Sequence, residues 1–258
     1  MTAQDTEFER KSFGSRLKSM LKVDVRRVFL GYFFYIMAAV CLVIPIAVLV
    51  MTSMNAGGGT GDLGITNVWQ MISSLSTDSS MSLTTMCGLN LAYFLILVYV
   101  SALVSEDFRS GYAKNLFSVR ARKGDYVASK ILVTTASGIL MMVCFFVGAL
   151  IGGKISGLSF ALDGATAAGV VCCLLSKFFL VPLFAALAVV FGCAAKKRTW
   201  LAVLLSVGVG MFLWMIVPMM TPLDAGVFQV VLCLAGGILF AGAFGVLTGV
   251  ILNRTNLA

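Results

Sequence analysis

Histidine is absent from this 258-residue chain, and only 11 residues are Asp or Glu. Without an imidazole, zinc-protease, Ser-His-Asp and Cys-His chemistries each lack an essential member. The carboxylates all fall outside the long apolar runs. A paired-aspartate intramembrane protease or a carboxylate proton relay therefore has no residues to use. Cysteine is present but without the paired spacing of a zinc site: Cys41, Cys87, Cys144, Cys172, Cys173, Cys193 and Cys233 lie in or at the edges of apolar runs. They read as small buried hydrophobes. Charge is scarce as well, at 12% of residues, against about 25% in soluble domains. The expectation is a chain with no catalytic residue, no metal site and no water-soluble core.

What is present is apolar sequence. Hydrophobic residues make up 60% of the chain and mean hydropathy is +1.01. Six apolar runs fall at about residues 28–54, 83–104, 128–152, 167–193, 199–217 and 227–252, each near the roughly 20 helical residues that cross a bilayer. Seventeen of the 19 Lys and Arg residues lie in alternate gaps: seven before the first run, six from Arg109 to Lys130, then Lys196, Lys197 and Arg198, and finally Arg254. The other gaps hold Lys154 alone, beside Asp62, Asp78, Asp163 and Asp224. By the positive-inside rule both termini face the cytosol. The net charge of +8 then reflects topology and anionic lipid headgroups rather than nucleic acid. The first run is longer than a signal-peptide core and follows a long basic segment, so it reads as a retained span.

Three parts are expected: a cytoplasmic amphipathic segment over 1–27, a six-helix transmembrane domain over 28–252, and a cytoplasmic tail over 253–258. Residues 8–27 can form a helix with Phe13, Leu17, Met20, Leu21 and Val28 on one side and Lys11, Lys18, Lys22 and Arg26 on the other. Such a helix lies in the membrane interface; an ordinary basic flank is the alternative. Pro45 and Pro182 bend runs one and four, as a static kink or a hinge. Gly237, Ala241, Gly245 and Gly249 form an i, i+4 ridge on run six that favours close helix packing. On the opposite side, Ala56–Gly61 is flexible in composition, a short helix is expected around Trp69, and Pro218–Gly226 is a short connection able to dip into the bilayer. No internal repeat supports inverted symmetry.

The segment after the second run, 105–127, carries the most information. Phe108, Tyr112, Leu116 and Val119 recur at helical spacing, so a short amphipathic helix is expected, interrupted at Gly111 and ended at Gly124. Glu106, Asp107, Gly111, Lys114-Asn115-Leu116, Arg120 or Arg122, and Lys130 follow in order. This segment resembles that of the permease subunits of type 2 ABC exporters, where acidic residues, a Gly, a Lys-Asn-Leu-like run, an Arg and a Lys opening the third span recur. Tyr112 replaces the common Thr, and the Pro before the arginine is missing.

The resemblance implies an all-α, polytopic permease with six spans and a cytoplasmic coupling helix between spans two and three. That helix would dock on a separate ATPase subunit that carries ATP and Mg, this chain binding no cofactor itself. Phe108, Tyr112, Leu116 and Val119 would be the anchors, with Arg109, Lys114 and Arg120 as rim charges and Glu106, Asp107 and Gly111 completing the contact. A second permease copy or a related permease completes the assembly in a bacterial cytoplasmic membrane. Its cargo would be an amphiphile such as a peptide antibiotic, drug or lipid. An ATP-independent transporter or channel, or a non-transporting scaffold or sensor, remains the alternative.

Lys177 stands alone within run four, where a lysine costs about 2.5–3.5 kcal/mol to insert. It is read either as part of the translocation path or as a packing lysine held by carbonyl oxygens. The stretch Gly148–Ile155 imitates a phosphate loop but puts Ile155 where the magnesium-binding hydroxyl belongs. Asn253-Arg254-Thr255 imitates a glycosylation sequon on the cytosolic side. Both are set aside as chance.

Overall fold

The computed structural model describes residues 13–55, 67–73, 88–118, 123–162, 166–223 and 225–254. Every regular element among them is a helix. An isolated parallel bridge joins Asn67 to Ser159.

The N-terminal amphipathic helix α1 spans Phe13–Leu30 and α2 spans Tyr32–Asn55. Gly31 separates them, and a Cβ there would come 2.9 Å from the Arg27 carbonyl oxygen. α1 therefore runs three residues beyond the expected boundary at 27. The short α3 (Val68–Ser73) is followed by α4 (Leu91–Arg109), α5 (Tyr112–Ser118), α6 (Lys123–Ile155), α7 (Ala167–Ala195), α8 (Thr199–Met220) and α9 (Val227–Arg254). Six of these, α2, α4 and α6 to α9, are long and apolar enough to cross a bilayer. α6 begins at Lys123, so the charged residues Asp125 and Lys130 ride on a span helix rather than a loop. Pro218 lies inside α8 rather than bounding it.

α7 is the central post: most of its residues are buried, whereas α9 is exposed over most of its length. Around it stand α4, α6, α8 and α9, with α2 behind α6. Small residues set these approaches. A Cβ on Gly148 would strike the Leu42 carbonyl and lie 2.8 Å from Pro45 Cγ, and one on Gly152 would lie 2.9 Å from Ile46 Cα. Of the glycines that imitate a phosphate loop, Gly148 and Gly152 thus form the groove in α6 that receives α2, while Gly153 meets the Val68 side chain of α3. On α9, a Cβ at Gly237 would meet the Phe179 carbonyl of α7, Ala241 is buried, and one at Gly245 would lie 3.2 Å from Ile131 Cδ1. Among the described residues nothing lies within 4 Å of a Cβ at Gly249. The ridge packs inside the bundle over three of its four positions.

Large apolar side chains of α8 and α9 face outward, among them Phe212, Phe228, Leu239 and Val246. That distribution suits a hydrocarbon solvent, in which apolar outer faces carry no penalty. At one end of the bundle α3 is tied to the stretch after α6: Trp69 Nε1 donates to the Phe160 carbonyl at 3.0 Å, and the Asn67 side chain donates to the Ala161 carbonyl. This is the short helix expected around Trp69. Ala56–Gly61 and Cys87 lie outside the described residues, as do Asp62, Asp78, Asp163 and Asp224.

Candidate functional site

The opposite end of the bundle is the basic one. There α4 ends at Arg109, the chain turns at Ser110 and Gly111, and α5 begins. Gly111 has φ +76°, a left-handed conformation that closes the end of α4. Ser110 N–H donates to the Glu106 carbonyl at 2.8 Å and Asn115 N–H to the Gly111 carbonyl at 3.0 Å, so the elbow is hydrogen-bonded on both sides.

Behind the elbow lies a buried ion cluster. Lys130 of α6 and Asp24 of α1 are 2% and 0% exposed. Lys130 Nζ sits 2.9 Å from Asp24 Oδ1 and 2.7 Å from Asp107 Oδ2. Asp107 also takes Arg27 Nη1 at 2.9 Å and the Tyr126 hydroxyl at 3.0 Å, while the Ser129 hydroxyl donates to Asp24 Oδ2 at 2.6 Å. Two carboxylates thus face two cations with further hydroxyl donors, which is how buried charges become tolerable. Arg27 lies 3.8 Å over the Tyr112 ring, a cation–π contact. Burial alone would lower the Arg27 guanidinium's pKa, but Asp107 and Tyr112 outweigh it and the net direction is upward. A second pair, Arg16 Nε to Asp125 Oδ2 at 3.0 Å, ties the start of α1 to the start of α6.

Two more contacts knit this end together. The Ser105 hydroxyl donates to the Lys196 carbonyl at 2.7 Å, which holds the turn between α7 and α8, where Lys196 has φ 52°. Lys123 Nζ donates to the Leu252 carbonyl at 2.6 Å, a cation at the C-terminal end of α9.

A profile described as ABC-2 family transporter protein matches residues 31–216, from the elbow after α1 through most of α8. The chain belongs to the ABC-2 transporter family. Comparison with curated proteins and with solved structures returned no match. An ABC-2 protein with six such helices is a multi-pass membrane protein and a component of transport rather than itself a catalyst.

Within this ABC-2 chain the candidate contact residues divide into two groups. Asp107 and Phe108 belong to the end of α4 and are 2% and 6% exposed. Tyr112 is occupied by Arg27, and Leu116 is half-buried against the core. Of the expected apolar anchors, Phe108 faces inward from α4, while Tyr112 and Leu116 are half-buried and hold α5 to its own protein. An apolar stripe satisfies a core as readily as a partner. Glu106, Arg109 and Lys114 are exposed. Gly124 does not end α5; it stands in the first turn of α6. Val119, Arg120 and Arg122 lie outside the described residues.

Lys177 is fully buried between α4, α7 and α8. Its Nζ donates to Asn90 Oδ1 at 2.5 Å, Trp214 Nε1 donates to the Asn90 carbonyl at 3.2 Å, and the Tyr93 hydroxyl donates to the Lys177 carbonyl at 2.8 Å. The ammonium is met by an amide oxygen, not a carboxylate.

Asp24, Tyr126 and Asn90 contact the candidate residues without having been singled out in the sequence, and Lys130, placed there only by the resemblance, was not read as an ion-pair partner. One signal was present for Asp24. It falls at i+4 from Met20 and i−4 from Val28, inside the apolar stripe of α1, where a lone carboxylate demands a buried cation.

Proposed function

We propose that this chain is the membrane-spanning permease subunit of an ATP-binding-cassette exporter and that α5 is the helix on which a cytosolic ATPase subunit docks. One observation carries the reading. α5 is a seven-residue helix joined through Gly111 to one span, anchored from behind by Tyr112 and Leu116, with Lys114 and Asn115 turned outward.

In this reading ATP and Mg bind on the partner subunit, and its closure pushes α5. Because Asp107 and Tyr112 tie the elbow to α1 and α6, the load reaches three helices rather than bending a loop. A second copy, or a related permease, completes the path, and an amphiphile such as a peptide antibiotic, drug or lipid leaves a bacterial cytoplasmic membrane. Lys177 lines that path once α4 and α7 separate, with Asn90 as its resting partner. Lys177→Met would then lower substrate-stimulated ATPase activity and export; unchanged values for both would remove Lys177 from the path.

The docking face is tested at Lys114, whose side chain is exposed. Lys114→Glu should weaken co-purification with the ATPase about tenfold, equivalent to 1.4 kcal/mol, with thermal stability unaltered. Full recovery of the complex from that variant would refute this face.

A further inference from the structure

At the basic end the structure contains a cleft of about 580 Å³ between the α1–α2 elbow, the end of α4 and the start of α8. That volume lies within the roughly 300–1,000 Å³ typical of small-molecule sites. We propose that it seats the headgroup of a zwitterionic phospholipid carrying a primary ammonium, of the phosphoethanolamine type, drawn from the inner leaflet.

The cleft has a charged mouth and an apolar wall. Arg27, Glu106 and Arg109 stand at the mouth with side chains 38%, 48% and 64% exposed. Val28, Phe33 and Leu103 form the wall. Each guanidinium has five N–H donors and meets one carboxylate, Asp107 for Arg27 and Glu106 for Arg109. Both retain donors for a phosphodiester, the planar bidentate recognition at which arginine excels.

Charge balance chooses among phosphodiesters. Arg27, Arg109 and Lys130 are matched by Asp24, Asp107 and Glu106, so the constellation is already neutral. A zwitterion keeps it neutral, with phosphate on the arginines and ammonium on Glu106. An anionic headgroup leaves Glu106 facing its own charge, and a choline offers that carboxylate no N–H. The resident Glu106–Arg109 pair spans exposed i, i+3 positions at 2.9 Å, and such surface pairs contribute about 0–1 kcal/mol, so a headgroup displaces it at little cost.

Position chooses lipid over a soluble phosphate. The positive-inside rule sets this end at the cytosolic interface. From Tyr32, 80% exposed at the mouth, the outward face of α2 continues apolar through Ile36 and Val43, a track on which acyl chains can lie.

The test uses the full-length permease, delipidated in detergent and titrated with short-chain phosphatidylethanolamine, phosphatidylcholine, phosphatidylglycerol or inorganic phosphate, read by thermal unfolding. The ethanolamine lipid should bind about tenfold more tightly than the choline or glycerol lipid, and phosphate should do nothing. Arg109→Gln should weaken all three lipids. Glu106→Gln should erase the ethanolamine preference while leaving glycerol-lipid binding intact or stronger. Both side chains are exposed, so both variants should fold. Equal affinity for all three lipids, a phosphate effect equal to the lipid's, or variants that bind like the parent would each overturn the proposal. A Tyr32→Cys chain that crosslinks to a second copy and binds no lipid would assign the cleft to permease pairing and overturn it as well.

Discussion

Lys130 is the residue on which the basic end turns, because one ammonium serves two carboxylates from two different helices. Removing a partner from a buried ion pair costs about 3–5 kcal/mol, chiefly the price of the charge left behind. Lys130→Met should therefore lower thermal stability in detergent by that order, through the stranded Asp24 and Asp107. Adding Asp24→Asn should restore part of the loss, since Asp107 then keeps Arg27 as a one-to-one partner. A double variant no more stable than Lys130→Met would contradict this division of charge. Gly111 makes a separate demand: its φ of +76° costs an L side chain about 1–2 kcal/mol. Gly111→Ala should show that loss without a clash, because among the described residues nothing lies within 4 Å of its Cβ position.

Between elements, the same small-residue logic gives opposite outcomes along one ridge. At Gly237 of α9 a Cβ would meet the backbone carbonyl of Phe179, which cannot swing aside as a flexible side chain would. Gly237→Ala should destabilise by about 1–3 kcal/mol, the usual cost of overpacking. At Gly249 no described residue lies within 4 Å of the Cβ position, and Gly249→Ala should be neutral or raise stability by up to about 1 kcal/mol through helix propensity. Parallel melting curves for the two variants provide the comparison, and equal losses would show that the ridge packs over its whole length. The i, i+4 spacing was legible in the sequence, but its uneven use was not. Which glycine meets a neighbour depends on where α7 crosses α9. The apolar repeat through Phe108, Tyr112 and Leu116 carried a similar ambiguity. Its period marked a face that is buried at Phe108 and half-buried at Tyr112 and Leu116, and an apolar period alone does not say whether the chain's own core or a partner meets such a face.

For the whole molecule, the alternating cations predict one orientation, with Lys114 and Lys154 on opposite sides of the membrane. In a background lacking the seven native cysteines, Lys154→Cys should react with an impermeant maleimide applied from outside. Lys114→Cys should react only after permeabilisation, and the reverse pattern would invert the molecule. Six spans, the short helix around Trp69 and the break at Gly111 were all readable, because each rests on composition, period or backbone freedom local in sequence. Asp24 and Asn90 were not found as partners, since their roles depend on residues 106 and 87 positions away, Lys130 and Lys177. By itself the sequence determined the number of spans and the membrane as solvent, since both follow from the length and apolarity of each run. Only the tertiary structure decided which charges are partners and which faces are covered, because ion pairs across a bundle form where helices cross, and no local pattern encodes that crossing.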